Sequence, residues 1–258
     1  MIAYMTLVKK NIQAQFEYNI STYLLIAGQF IAQFTFIFTF YLLFQSLGSI
    51  RNYSFAQALL VYGCVNISYT CGEILGKGIN NISELIRQGA LDIYFLRPQA
   101  ILLQVMGSGV EISRVGRLIQ SFILLGMALN LNEIEWNLIQ VVTLFLIVIG
   151  GIILFLGIYL FFGSLTFFSI QSINISILLM GSGSDCLHYP VDVMGQRIQQ
   201  VLTYVFPFAI INYYPFLFIF GKSEQVLFAF TPLVSIPFFI LTLGFWVYCI
   251  GRYSSTGS

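Results

Sequence analysis

Few residues in this chain have the types and spacing that chemistry requires, and the first candidate is its single histidine, His188. His188 lies between Asp185 and Asp192, so this loop could bind a metal ion or respond to pH, or it could be an ordinary polar loop. A single loop histidine does not supply the serine, histidine and carboxylate arrangement of a catalytic triad. The sequence therefore assigns no residue to catalysis and none to a metal site.

A nucleotide-binding loop is also missing from the sequence. The motif GxxxxGK followed by Ser or Thr, in which backbone N–H groups hold the phosphates of a nucleotide, does not occur. The chain therefore cannot bind ATP by that route, and no cofactor is expected on the chain itself. If this protein depends on ATP, then ATP and Mg²⁺ must bind to a separate ATPase subunit.

Polar side chains inside apolar segments are the remaining candidates for function. They are unfavourable in lipid unless they are hydrogen-bonded, so they should face another helix or a transport pathway. For Glu73, the presence of Lys77 one turn later predicts either an ion pair at the membrane edge or a role in translocation. Gly72 and Gly76, spaced GxxxG, would permit close helix approach. The candidates for lining a pathway or a helix interface are Asn66, Tyr69, Glu73, Gln171 and Asn174.

The longest charged stretch between apolar segments begins at Asn81 and reads NISELIRQGALDIYFLRP. Asn81 followed by Glu84 predicts a capping box at a helix start, and Arg87 lies on the turn next to Glu84. Gly89 predicts the helix end, and Pro98 closes the segment before the next apolar run. A short capped helix between two membrane spans indicates a surface that contacts a partner.

Composition defines the class of protein in which these residues act. Of 258 residues, 58% are hydrophobic and 8% are charged, whereas an average soluble domain has roughly 25% charged residues. The chain is therefore predicted to be an all-α polytopic membrane protein that has membrane lipid as a partner. A net charge of +1 argues against nucleic acid as a partner.

Apolar runs long enough to cross a hydrocarbon core of about 30 Å predict six membrane spans. The N-terminal segment predicts an interfacial helix, because Lys9 and Lys10 occur among apolar positions at loosely helical spacing. Pro207 and Pro215 interrupt a further apolar run, which predicts a re-entrant outer hairpin rather than a seventh crossing. The single predicted domain, 1–258, comprises the interfacial helix 1–19, spans at about 21–45, 55–76, 115–131, 138–162, 164–180 and 226–250, the loop 81–98, and the hairpin at about 190–220.

The positive-inside rule predicts the orientation of these spans, although it does not decide between six and seven. With both termini inside, eight of the 11 Lys and Arg residues lie on the inner side. The inner residues are Lys9, Lys10, Lys77, Arg87, Arg97, Arg114, Arg117 and Arg252, and the outer ones are Arg51, Arg197 and Lys222. The N-terminus, the C-terminus and the loop 81–98 are therefore predicted to be cytoplasmic. A tight turn at Gly163 is predicted to separate the fourth and fifth spans.

Two motifs are similar to those of a known family. The ten residues from Gly89 to Pro98, GALDIYFLRP, resemble the G-x-L-D-x-Y-L-L-R-P signature of a permease family of bacterial ATP-binding-cassette exporters of the type-2 class. Farther along, YPVDVM from Tyr189 and FPFAIINYYP from Phe206 resemble that family's YPLDIYP…IPVAFVNYYP passage, with Met194 and a glycine where the family often has an aromatic residue and a proline. The two motifs occur in the expected order, and the span pattern agrees along the whole length.

The resemblance implies a permease half with six transmembrane helices, an N-terminal interfacial helix, a cytoplasmic coupling helix and a re-entrant outer hairpin before the last span. Two copies of a cytoplasmic ATP-binding subunit would contact the loop between spans two and three. The implied contact residues are Asn81, Ile82, Glu84, Leu85, Arg87, Gln88, Gly89, Asp92 and Arg97, and the implied hairpin residues are Pro190, Pro207 and Pro215.

A second permease, identical or homologous, would pair with this chain through spans two and five. A heteromeric pair is favoured, because members of the family often occur as two different permeases, and the implied location is the bacterial inner membrane. The alternatives are a stand-alone secondary transporter, which would need a coupling-ion site and usually an internal repeat, and a non-transport membrane subunit of a complex. Uncharged polar side chains would suit peptides, amphipathic antibiotics or lipids as substrates.

Overall fold

The structure is a computed structural model that describes residues 2–17, 19–50, 53–168 and 195–253. Within these ranges the chain is helical and forms no strand. Among the described residues, five helices are long and apolar enough to cross a membrane, and a sixth crossing results if the bent pair Gln196–Tyr204 and Ala209–Ile219 counts as one. The predicted all-α polytopic fold class is therefore confirmed.

The helices are numbered in chain order, and a 3₁₀ helix directly precedes two of them. The α-helices are α1 Ile2–Glu17, α2 Asn19–Leu47, α3 Phe55–Asn80, α4 Ile82–Arg87, α5 Asp92–Phe95, α6 Ile101–Ser108, α7 Val115–Leu131, α8 Leu138–Leu165, α9 Gln196–Tyr204, α10 Ala209–Asn212, α11 Tyr214–Ile219 and α12 Ser235–Ile250. The 3₁₀ helices are Ile112–Arg114, before α7, and Val226–Val234, before α12.

Capping boxes fix the starts of α3 and α8. The Ser54 hydroxyl accepts a hydrogen bond from the Gln57 N–H at 3.2 Å, and the Gln57 side chain accepts one from the Ser54 N–H at 3.3 Å. Asn137 and Gln140 make the same pair of bonds at 2.8 and 3.0 Å. The Asn81 side chain makes no capping bond, so the capping box predicted there is wrong.

The missing cap has a simple cause, because α4 continues from α3 after a single residue. Asn81 has φ −83° and ψ −4°, close to helical values, whereas an N-cap residue usually has extended backbone. Its own N–H bonds back to the carbonyl of Gly78 at 3.1 Å. Residues 55–87 therefore form one candidate span of 33 residues with a slight break, rather than a span and a separate helix.

Helices α3 and α8 touch along a seam of small residues. A Cβ placed on Gly72 would lie 2.7 Å from Phe155 Cβ, and one on Gly76 would lie 2.8 Å from a ring carbon of Tyr159. From the other side, a Cβ on Gly151 would lie 2.5 Å from Ser68 Cβ. The close approach predicted from the spacing of Gly72 and Gly76 is therefore present, and α3 becomes the central helix of the bundle.

The end of α8 differs from the prediction. Gly163 is helical, and a Cβ there would lie 2.2 Å from Ile79 Cγ2, so this glycine serves close packing against α3 instead of a turn. The predicted turn at Gly163 is therefore wrong. The helix ends at Leu165, and turns follow at residues 166–168. The rest of the predicted fifth span lies outside the described residues.

The segment before the last span is broken, and its two parts meet at an angle of 101°. Pro207 lies in the break between α9 and α10, where a proline removes a backbone donor. Pro215, in contrast, is buried in the first turn of α11, a position that tolerates proline well, so it does not break that helix. The bend has the geometry of a re-entrant loop or a broken span. Pro190 lies outside the described residues.

Candidate functional site: the loop between the second and third spans

The loop from α3 to α7 is built from short helices joined by sharp turns. Gly89 has φ +65°, a left-handed conformation that glycine adopts at little cost, and it ends α4 where the sequence predicts the end. The turn is closed by hydrogen bonds from the Gly89 N–H to the Ile86 carbonyl at 3.1 Å and from the Leu91 N–H to the Leu85 carbonyl at 3.2 Å. The loop therefore has a defined shape.

The apolar side chains of α4, and Leu91 in the turn after it, face the core of this chain. Ile82 and Leu91 are fully buried, Ile86 is 5% exposed, and all three belong to the main hydrophobic cluster, with Leu85 partly buried against it. Ile82, which the sequence assigns to an ATPase contact, is therefore inaccessible to a partner in this conformation. Burial of these side chains holds α4 in place against the end of α3.

The opposite face of α4 is polar and exposed. Arg87 pairs with Glu84, the partner that the helical spacing predicts, and the Gln88 amide donates to the other carboxylate oxygen of Glu84. The Glu84 and Arg87 side chains are 44% and 69% exposed, and ion pairs this open contribute at most about 1 kcal/mol to stability. This face is available to a partner at little energetic cost.

The tip of the loop, Asp92–Arg97, presents apolar side chains to the outside. Leu96 is 85% exposed, Ile93 is 51% exposed and Phe95 is 46% exposed. The guanidinium of Arg97 lies over the Tyr94 ring, 5.6 Å from its centroid. Exposed apolar residues are expected on a lipid-facing helix. Here they lie on a short helix and turn between spans, which is typical of a surface that contacts a partner.

The tip is fastened to the C-terminal end of the described chain. The Phe95 ring stacks on the Tyr253 ring, with centroids 5.7 Å apart and planes 9° apart. The Phe167 ring contacts Tyr253 edge-on at 5.9 Å, and Trp246 in α12 contacts Phe167 at 5.4 Å. The tip is thus linked through aromatic rings to the end of α8 and to the last span.

The return from the tip crosses α3 in direct backbone contact. A Cβ placed on Gly78 would lie 2.0 Å from the Val105 carbonyl oxygen, and one on Gly109 would lie 2.2 Å from Gly78 Cα. The buried amide of Gln104 donates to the backbone carbonyls of Tyr94, at 3.0 Å, and Gln99, at 3.1 Å. These contacts fix α6 between the tip and α3.

A cluster of charged residues lies behind the loop. Glu73 accepts from Arg114 at 3.2 Å and from Arg117 at 3.0 Å, and its side chain is only 7% exposed. Glu111 pairs with Arg114 at 3.0 Å and with Lys77 at 3.8 Å. The partners of Glu73 are therefore arginines at the start of the third span, and the predicted pairing with Lys77 is wrong.

Arg117 extends this cluster to the first span. It donates to the side-chain oxygen of Gln29 in α2 at 3.1 Å, and its guanidinium lies 5.5 Å from the centre of the Tyr69 ring. A carboxylate this buried needs cationic partners, since an unpaired charge would be expensive. Between the two alternatives for Glu73, the observed contacts favour the ion pair over a free translocation group.

Helix α1 attaches to the same region through two side chains. The Asn11 amide donates to the Ser108 carbonyl at 2.5 Å. The Gln15 amide donates to the Val110 carbonyl at 2.5 Å, and its oxygen accepts from the Ile112 N–H at 2.9 Å. The N-terminal helix is therefore bound to the segment that enters the third span.

The uncharged polar residues of α3 are buried between helices of this chain. The Asn66 amide donates to the Tyr62 hydroxyl at 3.3 Å. Ser68 donates to the Val148 carbonyl of α8 at 3.2 Å, and the Tyr69 ring meets Phe155 edge-on at 5.3 Å. These contacts favour interhelical bonding over an open pathway in this conformation. Gln171 and Asn174 lie outside the described residues.

Some buried polar atoms nevertheless lack a partner. The side-chain oxygen of Asn66 and both polar atoms of the fully buried Gln120 in α7 accept or donate no hydrogen bond within the described part of the chain. Each unsatisfied group costs free energy in the closed bundle. The bundle in this conformation therefore leaves polar atoms of both α3 and α7 unsatisfied.

A cavity of about 470 Å³ lies at the opposite end of α3 from the charged cluster. Its polar lining includes the starts of α3 and α8 and two exposed carboxylates. The polar residues around it are Ser54, Gln57, Asn132, Glu133, Glu135 and Gln140. No group of three or more His, Cys, Asp and Glu residues able to hold a metal ion occurs in the described ranges. His188, with Asp185 and Asp192, lies outside them.

Sequence reasoning missed Gln29, Leu96 and Tyr253. The pairing of Glu73 with Arg114 and Arg117 could have been predicted. A carboxylate in an apolar segment needs a cation, and these two arginines flank the start of the third span. Nothing local indicates the stacking of Phe95 on Tyr253, since the two rings come from opposite halves of the chain.

Comparison with known protein families gives a match over most of the chain. The family model described as "ABC-2 family transporter protein" matches residues 30–257, which includes the loop, the charged cluster and the bent segment. No curated protein and no solved structure matches the chain significantly.

Proposed function

The chain belongs to the ABC-2 transporter family as a multi-pass membrane permease, and we propose that it exports its substrate with energy from two copies of a separate cytoplasmic ATPase subunit. The observation that carries this proposal is the family match over residues 30–257, together with the absence of a phosphate-binding loop from the chain. ATP and Mg²⁺ would then bind to the partner subunit.

The loop 81–98 is the proposed contact with that subunit. Its accessible members are Asn81, Glu84, Arg87, Gln88, Gly89, Asp92 and Arg97, whereas Ile82 is buried. The excess of Lys and Arg on the same side of the predicted topology supports a cytoplasmic location in a bacterial inner membrane, with both termini inside.

Motion of the loop would reach the membrane spans through rigid connections. Helix α4 continues into α3, the Gly78–Gly109 crossing holds the return segment, and the charged cluster joins Glu73 of α3 to Arg117 of α7. A push on the loop would therefore tilt α3 and α7 together, and a path would open along surfaces that the closed state buries. Coupling of this kind requires stiff elements, which is what the glycine contacts and buried ion pairs provide.

A second permease would complete the pathway. A heteromeric pair is favoured by the family resemblance, and uncharged polar groups such as Asn66 and Gln120 would suit peptides, amphipathic antibiotics or lipids. Secondary transport remains the competing function. It would need a coupling-ion site, and Glu73, the carboxylate in the described part of α3, is already neutralised by two arginines.

Co-purification with the ATPase subunit tests the proposal. The permease, its second permease and the ATPase encoded beside it are co-expressed, and the ATPase retained on tagged permease is measured. The double charge reversal Arg87→Glu with Arg97→Glu should reduce the retained ATPase several-fold without unfolding the permease, because both side chains are exposed. Lys10→Glu, an exposed reversal on α1, is the matched control. Failure of the wild-type chain to retain any ATPase would contradict the proposed function.

A further inference from the structure

We propose that the apolar tip of the loop, and not helix α4, is the part that anchors the ATPase subunit, and that Tyr253 holds this tip in position. The inference rests on the proposed function and adds which residues make the contact. The tip is the segment Asp92–Arg97, and its anchors are Leu96 and Ile93. The ATPase would receive them in an apolar groove with carboxylates at its edge.

Burial separates the two parts of the loop. Ile82 and Ile86 of α4 are buried in the main core and Leu85 is partly buried against it, so the helix offers little apolar surface to a partner. At the tip the arrangement is reversed, because Leu96 is 85% exposed and Ile93 is 51% exposed. Protein interfaces take most of their affinity from a few side chains that become fully buried. An aliphatic side chain that enters a pocket can be such an anchor, and the tip has exposed aliphatic side chains.

The charges around the tip indicate the chemistry of the partner. Arg97 is exposed beside Leu96, and Arg252 is exposed next to Tyr253, the residue on which the tip stacks. Neither arginine has an ion-pair partner within the described residues. The guanidinium of Arg97 lies over the Tyr94 ring, and that of Arg252 lies over the Tyr248 ring. Two free cations beside an apolar anchor are complementary to an apolar groove edged by Asp or Glu.

An anionic membrane surface has similar chemistry, and the length of the helix argues against it. Residues 55–87 form a candidate span of 33 residues, which is about 50 Å at 1.5 Å per residue. The hydrocarbon core is about 30 Å thick, and each headgroup layer adds about 5 to 8 Å. The end of α4 therefore extends beyond the headgroups, and the tip that follows it meets a protein more readily than lipid.

The tip also has the rigidity that an anchor needs. The Phe95–Tyr253 stack, with planes 9° apart, and the hydrogen bond from Gln104 to the Tyr94 carbonyl hold the tip before any partner binds. A loop that is already ordered loses less conformational entropy on binding. Tyr253 is thus a positioning residue, which acts on the ATPase contact through Phe95.

The test uses the co-expressed complex described above and measures the ATPase retained per permease. Leu96→Asp should lower retention by at least about tenfold, the usual effect of losing a buried apolar anchor, while Leu96→Met should retain the wild-type amount. Tyr253→Ala should lower retention less than Leu96→Asp does, and Tyr253→Phe should restore it, because the phenyl ring preserves the stacking. Equal retention by Leu96→Asp and wild type, with the α4 variant Arg87→Glu alone deficient, would overturn the inference and leave the proposed function standing.

A labelled variant distinguishes protein from lipid as the occupant. Leu96→Cys carrying an environment-sensitive fluorophore is placed in nanodiscs that contain anionic lipid, with identically treated wild-type chain as the background for native cysteines. A blue shift that appears only when the ATPase subunit is added supports the inference. A full blue shift in nanodiscs without the ATPase would overturn it in favour of membrane contact.

Discussion

The first and second spanning helices, α2 and α3, are both long and apolar, but α3 is buried within the chain and α2 is exposed. In the most apolar 18-residue window of residues 55–87, which contain α3, 83% of the residues are buried. In the corresponding window of residues 20–47, which belong to α2, only 6% are buried. Hydrophobicity therefore does not decide which helix becomes the centre of the bundle. The difference lies in small and polar residues, since the contacts of α3 with α8 and with the loop form at glycines.

This comparison separates two roles within one membrane domain. Helix α3 carries the loop at one end and is held by α7, α8 and the charged cluster, so it can transmit a displacement. Helix α2 exposes large apolar side chains along its length, including Leu24, Phe38 and Leu42. Its surface is available to lipid or to a second permease. The family resemblance instead implies that span two, which is α3, contacts the second permease, and α3 could do so only in a different conformation, because it is buried in this one.

Gly78→Val should give the largest effect, because it tests whether α3 has space for any side chain where the return segment crosses it. The new Cβ alone would lie 2.0 Å from the Val105 carbonyl oxygen, a backbone atom that cannot move aside without displacing α6. We expect little or no folded protein, measured as the monodisperse fraction in detergent by size-exclusion chromatography.

The matched control for this change is Gly28→Val in α2, where a Cβ would meet nothing within 4 Å. It should leave the folded fraction close to that of the wild type. A folded Gly78→Val variant with unchanged thermal stability would show that α3 is not packed as closely as its contacts indicate.

Glu73→Gln should have the next largest effect. The variant leaves Arg114 and Arg117 without the carboxylate that both contact, in a site where the Glu73 side chain is 7% exposed. Loss of one partner from a buried pair costs about 3 to 5 kcal/mol, so we expect a clear drop in the thermal midpoint of the purified permease. Glu84→Gln is the control, because its pair with Arg87 is exposed and is worth at most about 1 kcal/mol. Equal drops in the two variants would contradict a special role for the buried cluster.

The same contrast explains what the sequence could predict. Fold class follows from runs of apolar residues, which are local features. The break near Pro207 follows from the geometry of proline. The partner of Glu73 could not be obtained in this way, because spacing along one helix favours Lys77, whereas packing of α3 against α7 delivers two arginines instead.

The helix starts show a similar limit. Ser54 with Gln57 and Asn137 with Gln140 each stand directly before an apolar run, and both form capping boxes. Asn81 has a similar pattern of residues but follows α3 directly and has nearly helical backbone angles, so no cap is needed. A capping motif is therefore informative only when the preceding chain is extended.

Phe38→Ala in α2 should give the smallest effect on the chain by itself and is the most direct test of the contrast between the two helices. Phe38 is 62% exposed, so the truncation removes few contacts within the chain, and we expect a change in the thermal midpoint near the limit of detection. The informative measurement is recovery of the second permease with the tagged chain. Reduced recovery with an unchanged midpoint would assign the exposed face of α2 to the partner, because lipid replaces a lost ring more readily than a packed interface does. A marked loss of stability in the isolated chain would break the comparison, since it would mean that α2 packs against its own chain as α3 does.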